Sequence, residues 1–304
     1  MSARVIVPAS SANLGPGYDS FGLALGIHNE CEGELAREWR IEVGGEGAGR
    51  LSTGADNAVL RAMARLFEAA GKPGLRAEVI CHNGIPVGRG LGSSSAAVVG
   101  GLVLADALLG SRFDRQRLLE LATSIEGHPD NAGAALCGGF VIAARDATGV
   151  RCTHIEPAGG LAAVVVVGES ELPTGEARRT LPTAVPHHDA AANAAAAALL
   201  AHGITVGSAA AIAAGMRDSI HERYRAHLVP DMGQVSELLG SIGAGPAVLS
   251  GAGPSMLALV SAGSDELALE RARRCAEVAR TALGEVGRGR VLALPIDRRG
   301  ARIL

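Results

Sequence analysis

The chain has 304 residues, enough to bury a substantial core and to divide into two lobes. Its 28 Lys and Arg against 31 Asp and Glu give a formal net charge of −3, scattered along the chain, so no basic stripe points to nucleic acid. Four Phe, two Tyr and one Trp leave little for base stacking, and the longest apolar stretch, 96–109, is broken by Asp106 and too short to span a bilayer.

Five cysteines (31, 81, 137, 152 and 275) form an odd set without Cys-x-x-Cys, suggesting neither a zinc site nor a disulfide framework. Reduced, buried thiols are the default expectation. Residues 1–7 hold one Arg and an apolar run too short for a secretory signal, so a soluble cytoplasmic protein is expected.

In chain order, Arg4 to Pro8 alternates like a strand, and Ser10 to Tyr18 reads as a loop of small residues. That loop sets Asn13 and Asp19 around Gly15-Pro16-Gly17, equally suited to an Asx-type turn and to a binding loop. Phe21 to Ile27 and Trp39 to Val43 are strand candidates. Asp56 to Ala70 has helical spacing, with Asp56 or Asn57 at its start, and Leu75 to His82 is a strand.

The most informative stretch follows. Gly88-Arg89-Gly90-Leu91-Gly92-Ser93-Ser94-Ser95 runs into an apolar helix over 94–109. Glycines at 88, 90 and 92 permit tight turns and close approach to a ligand, and the first amides of the helix lack intrahelical partners. With hydroxyls to reach a metal, this is a phosphate cradle. The only lysine, Lys72, sits in a turn, so a P-loop is excluded, as is a protein-kinase arrangement. The spacing of the glycines is also not that of a dinucleotide-binding fingerprint.

Asp114 to Glu126 is an amphipathic helix, followed by Glu126-Gly127-His128-Pro129-Asp130-Asn131, which closes one helix and opens the next. Alone, this segment reads as helix capping. Strands are expected over 138–144 and 162–167, and a polar, Pro-punctuated stretch near 169–185 marks the expected lobe boundary, giving lobes of 1–168 and 169–304. Alanine-rich helices (188–201, 208–216), strands (247–249, 256–260) around Gly251-Ala252-Gly253-Pro254, a helix over 265–283 and a strand near 290–294 complete an α+β pattern. Arginine clusters at 178–179 and 223–225 would by themselves be solvated surface.

Together, the segments 8–25, 90–97 and 249–255 resemble, in order, the three motifs of the GHMP small-molecule kinases. The first motif is similar to that of the homoserine kinases within that superfamily, as are His128-Pro129-Asp130-Asn131, the element from Thr174 to Arg178, and Tyr224-Arg225. The resemblance covers roughly residues 4–300. It implies an N-terminal, ATP-binding lobe like ribosomal protein S5 domain 2, a ferredoxin-like C-terminal lobe, and a homodimer that binds neither nucleic acid nor membrane.

The resemblance further implies ATP held by Pro86, Gly88, Arg89, Gly90, Leu91, Gly92, Ser93, Ser94 and Ser95, with Asn57 near the purine. Mg²⁺ would lie on Ser94 and Glu126, with Ser95 one position away as an alternative. The implied reaction is phosphorylation of the side-chain hydroxyl of L-homoserine in threonine biosynthesis. Arg178 and Arg225 suit the substrate carboxylate, Asp19 its ammonium, and Asn13 and Asn131 its hydroxyl. Asp130 stands where some relatives place a base, although phosphoryl transfer can proceed by positioning and charge neutralisation alone.

Overall fold

In a computed structural model, which describes residues 2–147, 149–284 and 290–304, the chain builds two sheets. The larger contains β1 (Ser2–Asn13), β2 (Gly17–Ala36), β3 (Arg40–Gly45), β4 (Arg76–Asn83), β5 (Phe140–Asp146), β6 (Gly149–Ile155) and, far along the chain, β11 (Arg302–Ile303). Its path runs β11-β1-β2-β4-β3, with β5 pairing the early part of β2, and β6 pairing β5. Only β3–β4 is parallel among these pairings. The smaller sheet orders β10 (Val291–Pro295), β7 (Leu161–Val166), β9 (Met256–Ser261) and β8 (Ala247–Leu249), all antiparallel.

Period-two burial explains β4: Ala77, Val79, Cys81 and Asn83 face the core, while Glu78, Ile80 and His82 face out. Against the inner face pack α1 (Ala58–Ala69), α2 (Ser93–Leu108), α3 (Arg115–Glu126) and α4 (Asp130–Cys137). The helix α2 is apolar all round because it is buried almost all round: from Ala96 to Leu104 only Ala97 is partly exposed. Asn57 and Asp114 cap α1 and α3 through their side chains.

Beyond these lie α5 (Thr174–Arg179), α6 (His187–Val206), α7 (Ala209–Gly215), α8 (Glu222–Arg225), a 3₁₀ turn (Ala226–Leu228), α9 (Met232–Ser241) and α10 (Asp265–Gly284). The smaller sheet packs a core of its own against α9 and α10. This is the two-lobed α+β architecture expected.

Several local expectations are corrected. The segment 10–18 is not a loop: β1 continues to Asn13 and β2 begins at Gly17. Ser10, Ser11 and Ala12 are buried on both sides, so no alternation betrays the strand. The elements β6, α5, α8, α9 and β11 are not among the expected ones: α5, α8 and β11 span six residues or fewer, too short for an apolar period, whereas α9 does carry Met232, Val235, Leu238 and Leu239 at helical spacing. β7, which the expected division puts in the first lobe, pairs with β9 and β10 in the smaller sheet.

Asp297 joins the two sheets. Its Oδ2 lies 2.7 Å from His28 Nε2 on β2, and its Oδ1 accepts from the amides of Arg299 (2.9 Å) and Gly300 (2.8 Å). Burial alone would raise its pKa, but the His28 contact and those amides outweigh it and hold the pKa at about 2. Asp297→Ala is expected to lower the unfolding free energy by about 2–4 kcal/mol, by stranding these donors. A carboxylate with a depressed pKa stabilises above its unfolded value and loses that effect on protonation. Thermal melts should therefore show the deficit narrowing as pH falls from 3.8 towards about 2.

Candidate active site

The cradle forms as the glycines suggested. Gly88, Gly90 and Gly92 adopt φ of +68°, +76° and +68°, and α2 starts at Ser93 with no side-chain cap. A Cβ on Gly90 would lie 2.2 Å from Ser250 O, and one on Gly92 would lie 2.0 Å from Ser10 Oγ. The loop is therefore pressed against both other motifs. Ser10 N donates to Leu91 O (3.1 Å), Gly251 N donates to Ala12 O (3.0 Å), and Ser250 Oγ hydrogen-bonds to Gly90 O (2.7 Å) and Ser11 Oγ (2.8 Å).

These segments border a cleft of about 430 Å³, walled by the cradle, Glu126, His128, Asn131, the start of α5 with Arg178, and residues 251–253. Its size suits a nucleotide or a comparable small molecule. Ser94 and Ser95 donate to the two oxygens of Glu126 at 2.8 and 2.7 Å. Ser94 is exposed to the cleft and Ser95 is buried, which separates two residues that sequence alone left equivalent. Hydroxyl and carboxylate oxygens are the donor chemistry of a hard divalent cation, so the residues fit Mg²⁺.

At the N-terminus of α4, Asp130 is buried. Its Oδ1 accepts from Asn131 N (2.6 Å) and lies 3.0 Å from His128 Nδ1. That contact raises the His128 pKa against the opposing effect of burial. Asn131 reaches the cleft, its Oδ1 accepting from Ser10 Oγ at 2.9 Å. Asp130 thus lies behind the cleft wall that Asn131 and His128 form.

From the cleft wall, Arg178 leads to a cluster around Tyr18 whose other members, Asn13, Asp19 and Arg225, lie outside that wall. Arg178 makes a bidentate pair with Asp19 (2.9 and 2.6 Å) and donates to the Tyr18 hydroxyl (3.0 Å). The guanidinium carbons of Arg178 and Arg225 lie 5.6 and 5.5 Å from the Tyr18 ring centre. Arg225 is 1% exposed and donates to Ala177 O and Gly251 O, both at 3.3 Å. It also meets His221 Nδ1 at 3.1 Å, while His221 Nε2 donates to Gly15 O at 2.8 Å, the tautomer this network requires. Burial lowers the His221 pKa, consistent with a neutral ring.

Asn13 and Asp19 both hold left-handed backbone, at φ +67° and +55°. Asn13 Oδ1 accepts from Asp19 N (3.0 Å) and its Nδ2 donates to Gly251 O (2.7 Å), so this amide ties β1 to the turn beyond β8. Asn57, Pro86, Arg89 and Leu91 lie outside the cleft wall. Asn57 caps α1 and donates to Ser52 O at 2.6 Å, Leu91 is core, and Pro86 is buried. Arg89 flanks the cradle; its buried Nη1 lies 3.7 Å from Glu171 and has no hydrogen-bond partner among the described residues. Sequence reading left out Ser10, Tyr18, His128, His221 and Ser250 as site residues, although all five lie in or next to the quoted motifs.

The chain is similar to known proteins over its whole length. Residues 57–139 match the GHMP kinases N terminal domain, and residues 186–278 match the GHMP kinases C terminal domain. A homoserine kinase of Streptomyces avermitilis is 40% identical over 100% of this chain and 96% of its own length. One from Streptomyces coelicolor is 42% identical over 86% and 85%. The crystal structure of homoserine kinase from Cytophaga hutchinsonii superposes with a TM-score of 0.88 at 26% identity, covering 100% of this chain and 97% of that one.

Gly90→Ala combines a disfavoured φ with a Cβ forced against Ser250 O. It should lower unfolding free energy by about 2–4 kcal/mol in urea titrations. Gly74→Ala, where a Cβ meets nothing within 4 Å, should change it little.

Proposed function

This chain belongs to the homoserine kinases of the GHMP kinase superfamily, and on that premise we propose how its residues transfer the γ-phosphoryl group of ATP to the side-chain hydroxyl of L-homoserine. In this family the product feeds threonine biosynthesis. The observation that carries the amino-acid assignment is the charge pattern around Tyr18. Asp19 can meet an ammonium and Arg178 a carboxylate, the complement of a zwitterion, while the buried Arg225 adds positive charge behind the Tyr18 ring.

The ATP phosphates lie on the cradle from Gly88 to Ser95, received by the first amides of α2. Arg89, its Nη1 3.7 Å from Glu171, adds positive charge beside the cradle. Asn57, buried as the cap of α1, acts on the purine side by fixing that helix end. Ser94 and Glu126 hold Mg²⁺, with Ser95 anchoring the second oxygen of Glu126. When bound, the ion neutralises charge on the transferring phosphoryl, a role for which the chain has no cradle lysine.

Asn131, steadied by Ser10, orients the homoserine hydroxyl, and Asn13 supports Asp19 in its left-handed conformation. Asp130 positions Asn131 and His128 rather than abstracting a proton: its carboxylate is 2% exposed and already engaged by both neighbours. Transfer then depends on alignment and charge neutralisation. The same reading includes a cytoplasmic homodimer acting on free metabolites, away from nucleic acid and membranes, with sedimentation as the check on assembly.

Release of ADP should be measured with Mg-ATP against homoserine, serine, threonine, mevalonate and galactose. Turnover should be well above the rest on homoserine and vanish with EDTA; preference for another alcohol would overturn the roles at Tyr18. Arg178→Ala should raise the KM for homoserine by about 10–100-fold while leaving that for ATP unchanged, as expected for loss of a bidentate charged contact. Asp130→Asn keeps an acceptor oxygen at Oδ1 and should retain kcat within about tenfold. A loss of about 10³-fold or more with ATP binding intact would make Asp130 a general base.

A further inference from the structure

Away from the cleft, three chemically complementary side chains meet where α3 begins, α4 ends and β6 passes. The thiol of Cys137 interacts with the thiol of Cys152 and with the guanidinium of Arg115. Both cysteines are partly exposed and pack beside the buried trio Ala24, Ala134 and Val141. Gly133 lies one turn before Cys137 on the same face of α4. A Cβ there would sit 3.0 Å from Cys152 Sγ, so the bare glycine lets β6 bring its thiol onto that face.

We propose that Cys137 and Cys152 are a peroxide-reactive thiol pair, Cys137 attacking and Cys152 resolving, that closes to an intrachain disulfide. The thiolate of Cys137 displaces hydroxide from hydrogen peroxide, leaving a sulfenic acid on its sulfur. The Cys152 sulfur then attacks that sulfur, its proton leaving with the departing hydroxide as water. The sum converts two thiols and one peroxide to one disulfide and two waters, with two electrons passing from sulfur to oxygen.

Electrostatics support the order of attack. The Cys152 hydrogen bond and Arg115 outweigh burial and bring the Cys137 pKa down to about 7 from an ordinary 9.0, while the same contact pushes Cys152 up. About half of Cys137 is then thiolate at pH 7, against about 1% for an ordinary thiol. The lower nucleophilicity of a weaker base reduces that advantage to about five- to eightfold in rate.

Proximity alone is not the criterion. Cys31 and Cys81 lie with sulfurs 3.1 Å apart across β2 and β4, yet both are buried. The pKa of Cys31 is held well up by the Cys81 contact and by burial, and its charged neighbour is the carboxylate Glu30.

The test treats the full chain with hydrogen peroxide, blocks remaining thiols with iodoacetamide, and maps peptides by mass spectrometry without reductant. A 137–152 disulfide, reversed by dithiothreitol, is expected, with Cys31 and Cys81 recovered as alkylated thiols. In Cys152→Ser, dimedone should label Cys137. In the untreated chain, Cys137 should alkylate about fivefold faster at pH 7 than an ordinary thiol, Cys152→Ser should remove most of that excess, and Arg115→Gln should remove part of it. Peroxide consumption without a 137–152 link, or alkylation of Cys137 at the ordinary rate in the unmutated chain, would overturn the proposal.

Discussion

Everything in the cleft depends on one backbone collision avoided. Gly90 passes so close to Ser250 O that no other residue fits, and around that contact the segments near residues 10, 90 and 250 are stitched together. Ser11 and Ser250 are buried hydroxyls whose hydrogen bonds cross between these segments, and the buried Ser10 hydroxyl reaches Asn131 on α4. Their small size permits the approach, and their polarity satisfies backbone groups that the approach removes from water. A cradle fixed from two sides receives charge without first reorganising, which is how fixed amides are most effective against a phosphoryl group.

The site manages its charges by embedding them in hydrogen bonds. Glu126 is spanned by two hydroxyls, Asp130 by an amide and a histidine, and Arg225 by carbonyls and a neutral imidazole. Arg178 and Asp19 neutralise each other beside the Tyr18 ring. The two ends differ in rigidity of support. The phosphate end rests on a long buried helix, α2, whereas Arg178 stands on a six-residue helix, α5.

Much of this was legible in the sequence, for identifiable reasons. Positive-φ glycines, the Asn57 and Asp114 caps and the amphipathic helices announce themselves locally, and the order of the motifs carries the fold. Hidden were features that depend on distant partners. Ser10 to Ala12 looks like a loop until the buried surfaces on either side are known. Ser94 and Ser95 are indistinguishable in one dimension and differ only in which side of the helix start faces the cleft. Neither His128 nor His221 carries a local signal separating it from a surface histidine.

The short strand β11 has a consequence in time. Residues 302 and 303 pair with Ile6 and Val5, and Leu304 N donates to Arg4 O, so one edge of the larger sheet joins segments almost 300 positions apart. As the chain emerges from the ribosome, β1 must wait with that edge open until residue 303 has been made. For most of its synthesis the first lobe is an unfinished template for strand pairing, the interval in which a chaperone would matter most.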